Sequence, residues 1–376
     1  GYHPTTKPNS KRVKEAAERI IAAKKPVLYV GGGVIRSNAA KELLQLAELT
    51  QIPVVTTLMA LGSFPHSHPL HMGMPGMHGS VAAVTTLQKS DLLITLGARF
   101  DDRVTGRLDK YAKQAKIVHL DIDPAEIDKN VKTTVPVWGD CKETLPMLTA
   151  LVESKVYPQW LQKFHDCMAK EQALCIDPEM NPATDILTMG EVIKALNELT
   201  HGNAIIVTDV GQHQMVACRY AQMNQTKSNI TSGGLGTMGY ALPAAIGAAY
   251  GDPSRPTVAI IGDGGFQMTI QELGTIMQFK PNVKIIILNN QFLGMVRQWQ
   301  QLFHEKRYSF VDITSPDFVA VAKGYYIDGQ RISERSELKS ALKTMIDHNG
   351  SYLLDVMVGK ENNVFPMVPQ GIGVSE

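Results

Sequence analysis

Two polar turns in this chain could together bind a metal ion. The first is Gly262-Asp263-Gly264-Gly265, and the second is Asn289-Asn290. A carboxylate and an amide oxygen suit a hard cation such as Mg²⁺, which takes about six oxygen ligands and often accepts several of them from phosphates. Asp263 and Asn290 would then supply part of the coordination shell and leave room for a diphosphate.

The flanking segments predict how these two side chains come together. Residues 257–261 and 283–288 are apolar, β-branched runs typical of strands that are buried on both faces, and residues 266–279 predict a helix between them. A parallel strand-helix-strand unit with a right-handed crossover places Asp263 and Asn290 at the same edge of neighbouring strands. Two unrelated turns are the alternative interpretation, but the spacing and the flanking strands favour the metal site.

The pattern of Gly262-Asp263-Gly264, residues 265–288 and Asn289-Asn290 resembles the signature of thiamine diphosphate enzymes. This resemblance implies that Asp263, Asn290 and the backbone carbonyl of Phe292 hold Mg²⁺ beside thiamine diphosphate. It places further residues around the cofactor: Gly262, Gly264, Gly265, Gly294 and Met295.

Two segments between residues 204 and 239 add to this predicted site. Gln212 and His213 follow a predicted strand at 204–208 and start a helix, where free amides can meet phosphate oxygens, although a helix cap is the more common role of a lone His there. The glycine loop 232–239 lacks the Lys of a Walker P-loop. The resemblance implies that Gln212 and His213 contact the diphosphate, that Gly236 bonds the aminopyrimidine, and that Met238 supports a bent cofactor.

The first half of the chain predicts an open, parallel α/β sheet. Strands are predicted at 26–30, 52–56, 91–96, 116–121 and 135–138, with helical patterns between most of them. The turn after the first strand reads Gly31-x-Gly33-x-x-Arg36, so the dinucleotide fingerprint lacks its third glycine and a standard NAD site is not expected. The predicted fold class is α/β, with two doubly wound domains and mostly parallel sheets.

Two unusual segments of this first half resemble the middle domain of acetohydroxyacid synthases, also called acetolactate synthases. Residues 96–106 carry two arginines and two aspartates, as an anion site would, and residues 72–79 carry thioethers and glycines suited to a flat ring. Each alone would read as a solvated charge cluster or a core methionine patch. The segment Gly294-Met-Val-Arg-Gln-Trp299 points to the same family.

This second resemblance implies further binding and catalytic residues. Arg103 is expected to pair with the carboxylate of a second 2-oxo acid, Met238 to support the cofactor, and Trp299 to shape the acceptor pocket. The middle domain is expected to hold FAD in an extended conformation, without hydride chemistry. The implied flavin contacts are Gly31, Gly32, Gly33, Met77, His78, Gly79, Arg99, Asp121, Ile122, Asp123, Gly139 and Asp140.

The implied organisation is a linker at 1–10, a middle domain of the FAD-binding type at 11–155, and a helix and linker at 156–182. A thiamine diphosphate and Mg²⁺-binding domain follows at 183–360, and the tail at 361–376 is expected to cap the entrance. A complete enzyme of this family carries another domain ahead of these, with a glutamate that protonates the aminopyrimidine. We therefore expect the chain alone to be inactive, because losing a general acid or base typically costs about 10²- to 10⁴-fold.

The implied reaction decarboxylates pyruvate and transfers its two-carbon unit to a second pyruvate or to 2-oxobutyrate, as the first common step of branched-chain amino acid biosynthesis. The expected partners are a homodimer or tetramer and a separate regulatory small subunit. The formal net charge is +1, so nucleic acid is not expected. The four cysteines form no Cys-x-x-Cys pair, and no apolar run approaches a membrane span of roughly twenty residues, which favours a cytoplasmic location.

Three alternative functions stay open at this point. Another thiamine diphosphate enzyme, a 2-oxo acid oxidase or decarboxylase, would keep the metal motif, but Arg103 and Trp299 argue against it. A flavin- or NAD-binding electron carrier would leave Asp263 and Asn290 unexplained. A non-catalytic binding module is less consistent with intact metal ligands.

Overall fold

A computed structural model describes residues 3–369 and 371–373 of the chain. The chain divides into two compact units. The first unit contains the residues up to Leu174, the short segment Asn224–Thr226, and the residues from Phe365 onward. The second unit contains Cys175–Met223 and Lys227–Val364.

Within the described residues, the first unit is built on a parallel sheet. Its strands are β1 (Pro26–Val30), β2 (Val54–Thr56), β3 (Leu92–Leu96), β4 (Lys116–Asp121) and β5 (Val135–Trp138). They pair in the order β2-β1-β3-β4-β5, and every pairing is parallel. All residues of β1 and β3 are buried, because helices cover both faces of a parallel sheet.

Helices accompany the strands of the first unit. They are α1 (Ser10–Ala22), α2 (Gly33–Arg36), α3 (Ala40–Thr50), α4 (Val81–Lys89), α5 (Asp102–Thr105), α6 (Cys141–Thr149) and α7 (Pro158–Glu171). In α1 the residues Val13, Ala17 and Ile20 are buried, which is the spacing of one helical face. Trp160 and Phe164 of α7 are buried in the same core.

The second unit contains, among its described residues, a second parallel sheet. Its strands are β6 (Ile205–Thr208), β7 (Asn229–Thr231), β8 (Thr257–Gly262), β9 (Val283–Asn289), β10 (Asp328–Ile332) and β11 (Tyr352–Met357). They pair in the order β10-β11-β9-β8-β6-β7 with all ladders parallel. The predicted α/β class with parallel sheets is confirmed in both units.

Helices again accompany the strands of the second unit. They are α8 (Asp177–Met180), α9 (Met189–Thr200), α10 (Gln212–Tyr220), α11 (Ala241–Gly251), α12 (Asp263–Met268), α13 (Leu273–Phe279), α14 (Gly294–Phe303), α15 (Phe318–Gly324) and α16 (Leu338–Asp347). The helix α9 begins with a capping box, in which Thr188 Oγ1 accepts from Glu191 N and Glu191 Oε2 accepts from Thr188 N. Among the described residues, no helix combines the length and apolar character that a membrane span requires.

Two sequence-based predictions about elements are wrong in part. The predicted helix at 266–279 is interrupted, because the Thr269 hydroxyl donates to the carbonyl of Gly239 at 2.9 Å and the backbone there leaves the helical region. Within the helix and linker predicted at 156–182, the linker part contains α8, because Pro178 fits a first helical turn and the Glu179 side chain accepts from Gly190 N at 3.0 Å. The domain boundaries placed at 10, 155, 182 and 360 stay predictions.

His71 is buried, and its environment disfavours the protonated imidazole. Its Nε2 lies 3.2 Å from Thr56 Oγ1, and burial, reinforced by the charges of His66 and His68, lowers the pKa of His71 to about 3. An unfolded His takes up its proton near pH 6.5, so the folded state loses stability as the pH falls below that value, by up to about 1.4 kcal/mol per pH unit.

We expect His71→Gln to weaken this dependence, because Gln forms hydrogen bonds but does not titrate. The free energy of unfolding, measured with urea between about pH 6 and pH 4, should fall less steeply than in the wild type. The exposed His165 provides a matched control, since His165→Gln should keep the wild-type slope. Equal slopes for wild type and His71→Gln would contradict the assignment.

Candidate functional site

The carboxyl ends of β6, β8 and β9 border an open pocket in the second unit. In parallel sheets, ligands bind at this edge because the strands end there together and the following helices begin. Most of the residues predicted for the thiamine site line this pocket. They are Gln212, His213, Met238, Gly262, Asp263, Gly264, Gly265, Asn290, Phe292, Gly294 and Met295.

Asp263 lies at the start of α12 and is buried. Its Oδ2 accepts from Ser315 Oγ at 3.0 Å, whereas its Oδ1 has no hydrogen-bond partner. Burial raises the pKa of Asp263 to about 6, and the hydrogen bond from Ser315 acts in the opposite direction. An unpaired, buried carboxylate oxygen at the edge of a pocket is a position that a cation would satisfy.

Asn290 follows β9 and is also buried. Its Oδ1 accepts from Phe292 N at 3.2 Å, and its Nδ2 donates to Gln212 Oε1 at 3.3 Å. Because β8 and β9 pair in register through Gly262 and Leu288, the turns that carry Asp263 and Asn290 leave neighbouring strand ends. The sequence-based expectation that both side chains serve one pocket is therefore consistent with the fold.

The preceding Asn289 is fixed by a hydrogen bond to a buried carboxylate. Its Nδ2 donates to Asp355 Oδ1 at 3.1 Å, and its carbonyl accepts from Val358 N at 3.0 Å. Asp355 is fully buried and also accepts from Arg331 Nε at 2.7 Å. This contact ties the turn after β9 to the neighbouring strands β11 and β10.

His213 lies in the first turn of α10 and is buried, and its Nε2 has no hydrogen-bond partner. Burial lowers the pKa of His213 to about 3, so its imidazole is neutral at physiological pH. A Cβ added to Gly262 would lie 2.9 Å from His213 Nδ1, so the glycine at the end of β8 makes room for the ring. A neutral, unpaired imidazole at a helix start can donate a hydrogen bond to an anionic ligand.

The side-chain NH₂ group of Gln212 is not free to bind a ligand in the pocket. Its Nε2 donates to Gln298 Oε1 at 2.8 Å and to the carbonyl of Asn362 at 2.9 Å. The predicted side-chain contact between Gln212 and a diphosphate would require at least one of these bonds to break. The amide groups of the first turn of α10 are better placed for that contact.

Asp209 follows β6 directly, and no role is predicted for it from the sequence. It is fully buried, and its Oδ1 accepts from Tyr240 N at 2.9 Å. Burial raises the pKa of Asp209, while bonds from backbone amides, that of Tyr240 first, oppose the shift. A Cβ on Gly265 would lie 1.7 Å from Asp209 Oδ2, so the glycine allows this carboxylate to lie against the first turn of α12. Its position immediately after a buried strand is the sequence feature that could have identified Asp209.

Several other predicted site residues lie outside the set that lines the pocket. Gly236 is exposed in the glycine loop, with a φ of 64° that favours glycine. Trp299 of α14 packs against Phe303 at 4.8 Å between ring centroids. Arg103 belongs to the first unit, where its side chain is 59% exposed and its Nε lies 3.9 Å from Asp102 Oδ2.

The predicted flavin residues of the first unit mostly gather at the carboxyl edge of its sheet, where several make packing or capping contacts. Cβ atoms on Gly31 and Gly33 would lie 2.1 Å from Gly97 O and 2.7 Å from Gly97 Cα, so the two turns approach closely. Asp123 and Asp140 each accept a backbone amide at a helix start. Gly32, Ile122, Asp123 and Asp140 remain partly accessible at this edge.

Part of the predicted C-terminal tail contacts the predicted flavin segment 77–79 within the first unit. Val368 N donates to the carbonyl of Met77 at 2.8 Å, and His78 Nδ1 lies 3.3 Å from the carbonyl of Pro366. Residues 370 and 374–376 of the predicted tail lie outside the described residues.

No group of three or more His, Cys, Asp or Glu side chains among the described residues could hold a metal ion. A cation in the pocket would therefore need amide, backbone and ligand oxygens in addition to Asp263, which is the composition expected when a diphosphate completes the coordination.

Comparison with known families agrees with this geometry. Residues 13–148 match the central domain of the thiamine pyrophosphate enzymes, and residues 209–356 match their C-terminal TPP binding domain. The chain therefore belongs to the thiamine pyrophosphate enzymes, of which it carries these two domains.

Within that family, the chain is similar along its length to acetolactate synthases. It is 46% identical to the acetolactate synthase of Mycobacterium bovis, and the match covers 100% of this chain and 62% of that protein. It is 45% identical to the acetolactate synthase large subunit of Corynebacterium glutamicum, with 100% and 61% covered. A probable acetolactate synthase large subunit of Methanocaldococcus jannaschii is 44% identical, with 99% and 64% covered. The chain thus spans less than two thirds of the length of these relatives.

The contact between Gly265 and Asp209 can be tested by adding one methyl group. We expect Gly265→Ala to displace the Asp209 carboxylate and to lower the free energy of unfolding by about 1–3 kcal/mol, as overpacking does. The matched control is Gly274→Ala in α13, where the Cβ would meet Tyr325 Cε1 at an ordinary 3.7 Å. That substitution should stabilise the chain by about 0.5–1 kcal/mol. Urea denaturation that gave both variants the same sign would contradict the packing described.

Proposed function

We propose that this chain is the central and cofactor-binding part of an acetolactate synthase. The reaction is the decarboxylation of pyruvate, followed by transfer of the two-carbon unit to a second pyruvate or to 2-oxobutyrate. The observation that carries the proposal is the pocket at the ends of β8 and β9, in which an unpaired Asp263 oxygen lies beside the Asn290 turn. The similarity to acetolactate synthases along the whole chain supports this choice among thiamine pyrophosphate enzymes.

The proposed metal ligands are Asp263, Asn290 and the carbonyl of Phe292. The buried Asp263 Oδ1 has no partner within the protein, so a cation there would remove a desolvation cost that the protein does not otherwise offset. Asn290 Oδ1 accepts one hydrogen bond and has a second lone pair for a cation. These oxygen donors fit Mg²⁺, with the remaining positions filled by the diphosphate of thiamine diphosphate and by water.

The proposed diphosphate site is the first turn of α10. The helix start offers backbone amides, and the neutral His213 offers a ring nitrogen without a protein partner. Gly262, Gly264, Gly265 and Gly294 line the pocket, where a Cβ on any of them would come closer than 3.0 Å to a neighbouring side chain.

Thiamine diphosphate supplies the carbon nucleophile that such decarboxylation and carbon–carbon bond formation require. The chain's own residues position the reactants and exclude water. Met238, Leu293 and Met295 give the pocket an apolar wall, and the proposed role of Met238 is to support the bent cofactor. Gly236 is proposed to bond the aminopyrimidine.

FAD is proposed as a second cofactor, bound at the carboxyl edge of the first unit's sheet. Support comes from the partly accessible Gly32, Ile122, Asp123 and Asp140 at this edge. Arg99 is exposed and forms an ion pair with Asp101, so a bound anion would share or replace that contact. The glycines at 31 and 33 fit this role only in part, because their missing Cβ atoms already serve the contact with Gly97. No step of the proposed reaction depends on the flavin.

Arg103 is proposed to pair with the carboxylate of the acceptor 2-oxo acid. Trp299 is proposed to contact the apolar end of the acceptor. The proposed partners of the protein are further copies of the chain and a regulatory small subunit, because two of the relatives are named as large subunits. The second candidate function is that of a thiamine diphosphate-dependent 2-oxo acid oxidase or decarboxylase, which would use the same metal site.

The metal site is tested by Asp263→Ala. Losing a residue that only supports a metal ligand typically lowers metal affinity about 10- to 100-fold. Because Asp263 is itself a proposed ligand, we expect Asp263→Ala to lower the affinity for thiamine diphosphate in the presence of Mg²⁺, measured by calorimetry, by more than that. The exposed Asp185 provides the control, and Asp185→Ala should bind as the wild type does. Unchanged binding by Asp263→Ala would reject the site. Formation of acetaldehyde or peroxide instead of acetolactate by the full-length protein would favour the second candidate function.

The acceptor assignment is tested by Trp299→Leu. A hydrophobic wall that senses one methylene discriminates by about 10- to 200-fold, so the preference for 2-oxobutyrate over pyruvate should fall toward unity. Competition between the two acceptors, measured in the complete enzyme because the chain alone is expected to be inactive, gives this ratio directly. Phe310, which is 98% exposed in the second unit, offers a control substitution, Phe310→Leu, that should keep the wild-type ratio. A wild-type ratio in Trp299→Leu would remove Trp299 from the acceptor site.

A further inference from the structure

Three buried side-chain amides connect the proposed metal site to the backbone near residue 364. Asn290 Nδ2 donates to Gln212 Oε1 at 3.3 Å, and Gln212 Nε2 donates to Gln298 Oε1 at 2.8 Å. Asn290 is 5% exposed, Gln212 is 3% exposed and Gln298 is fully buried. We call this row of carboxamides, Asn290, Gln212 and Gln298, the amide relay.

One end of the amide relay has a fixed direction. Val364 N donates to Gln298 Oε1 at 2.9 Å, and Gln298 Nε2 donates to the carbonyl of Val364 at 3.0 Å. A backbone N–H can only donate and a backbone carbonyl can only accept. The two bonds with Val364 therefore permit a single orientation of the Gln298 carboxamide.

That orientation propagates along the amide relay. Since Gln298 Oε1 faces Gln212, the facing atom of Gln212 must be its Nε2, which donates to the carbonyl of Asn362 as well. Gln212 then turns its Oε1 toward Asn290. Asn290 must answer with its Nδ2, which leaves its Oδ1 on the other side of the carboxamide, where it accepts from Phe292 N.

We propose that Gln298 is a positioning residue that acts together with the Phe292 amide to fix which atom of Asn290, oxygen or nitrogen, faces a bound cation. This inference rests on the proposed Mg²⁺ site. A carboxamide can turn end for end at little steric cost, but its NH₂ group cannot ligate a cation. The amide relay excludes the wrong orientation before the cation binds, as hydrogen bonds to metal ligands commonly do.

Two neighbouring residues support the amide relay without belonging to it. A Cβ on Gly294 would lie 2.2 Å from Gln212 Oε1 and 2.8 Å from Asn290 Nδ2, so the glycine leaves room for their contact. Arg297 donates through Nη2 to the carbonyl of Asn362 at 2.7 Å and so fixes the acceptor that Gln212 shares. Burial is also required, because water could satisfy either orientation of an exposed amide.

The proposal is tested by two substitutions of Gln298. Gln298→Met has a similar length and removes both orienting bonds, so the affinity for Mg²⁺ at a fixed thiamine diphosphate concentration should fall about 10- to 100-fold by calorimetry. Gln298→Glu keeps an acceptor facing Gln212 and should lose less. At saturating Mg²⁺, both variants should bind thiamine diphosphate as the wild type does, whereas a merely structural role would impair binding at any metal concentration.

A matched control and a metal-free measurement complete the test. Gln278→Met, on the exposed face of α13, should keep the wild-type Mg²⁺ affinity. In the metal-free protein, the Asn290 side-chain NH₂ signal, identified by its absence in Asn290→Asp, should exchange with solvent faster in Gln298→Met than in the wild type.

The outcomes separate the two proposals. Wild-type Mg²⁺ affinity and wild-type amide exchange in Gln298→Met would overturn the amide relay and leave the metal site standing. A wild-type protein that binds thiamine diphosphate equally well with and without Mg²⁺ would overturn the metal site itself, and the positioning role of Gln298 with it.

Discussion

The candidate site depends on the in-register parallel pairing of β8 and β9. Parallel strands end at the same edge of a sheet, and the ladder from Thr257 with Val283 to Gly262 with Leu288 brings two polar turns side by side. Both strands are apolar and almost entirely buried, so a shift in their register would disturb the core as well as the pocket. The stability of the sheet and the geometry of the site are therefore set by one interaction.

Missing side chains shape the pocket as much as the polar groups do. At three points a Cβ would collide with a functional atom: Gly262 with the ring of His213, Gly265 with the carboxylate of Asp209, and Gly294 with Gln212 and Asn290. Each of these glycines lies where the backbone approaches a buried polar side chain. The pocket thus combines desolvated polar groups with close backbone contacts.

The sequence was most informative where chemistry coincided with periodicity. Apolar strands followed by Asp263 and Asn290 predicted the two neighbouring strands and their common edge, and the parallel α/β class followed from the alternation of elements. Most of the other residues that line the pocket came from the resemblance to thiamine diphosphate enzymes. The break at Thr269 could not be predicted, because it depends on a hydrogen bond to Gly239 thirty residues earlier. Gln298 was missed for the same reason, since its partner Val364 is 66 residues away. The strands β7, β10 and β11 were also missed. Of these, β7 is short and β10 is polar, and both depend on their neighbours for pairing.

The buried Asp355 has a consequence for the outer border of the second sheet. Its carboxylate is fully buried between Asn289 and Arg331, and the Arg331 side chain comes from the edge strand β10 and is 41% exposed. If β10 frayed, Asp355 would lose Arg331, and an uncompensated negative charge would remain beside Asn289, the last residue of β9. The free-energy cost of that charge resists local opening of β10. Insertions or fusions at β10 that disturbed the ion pair between Arg331 and Asp355 would therefore perturb ligand affinity, although β10 lies two strands away from β9.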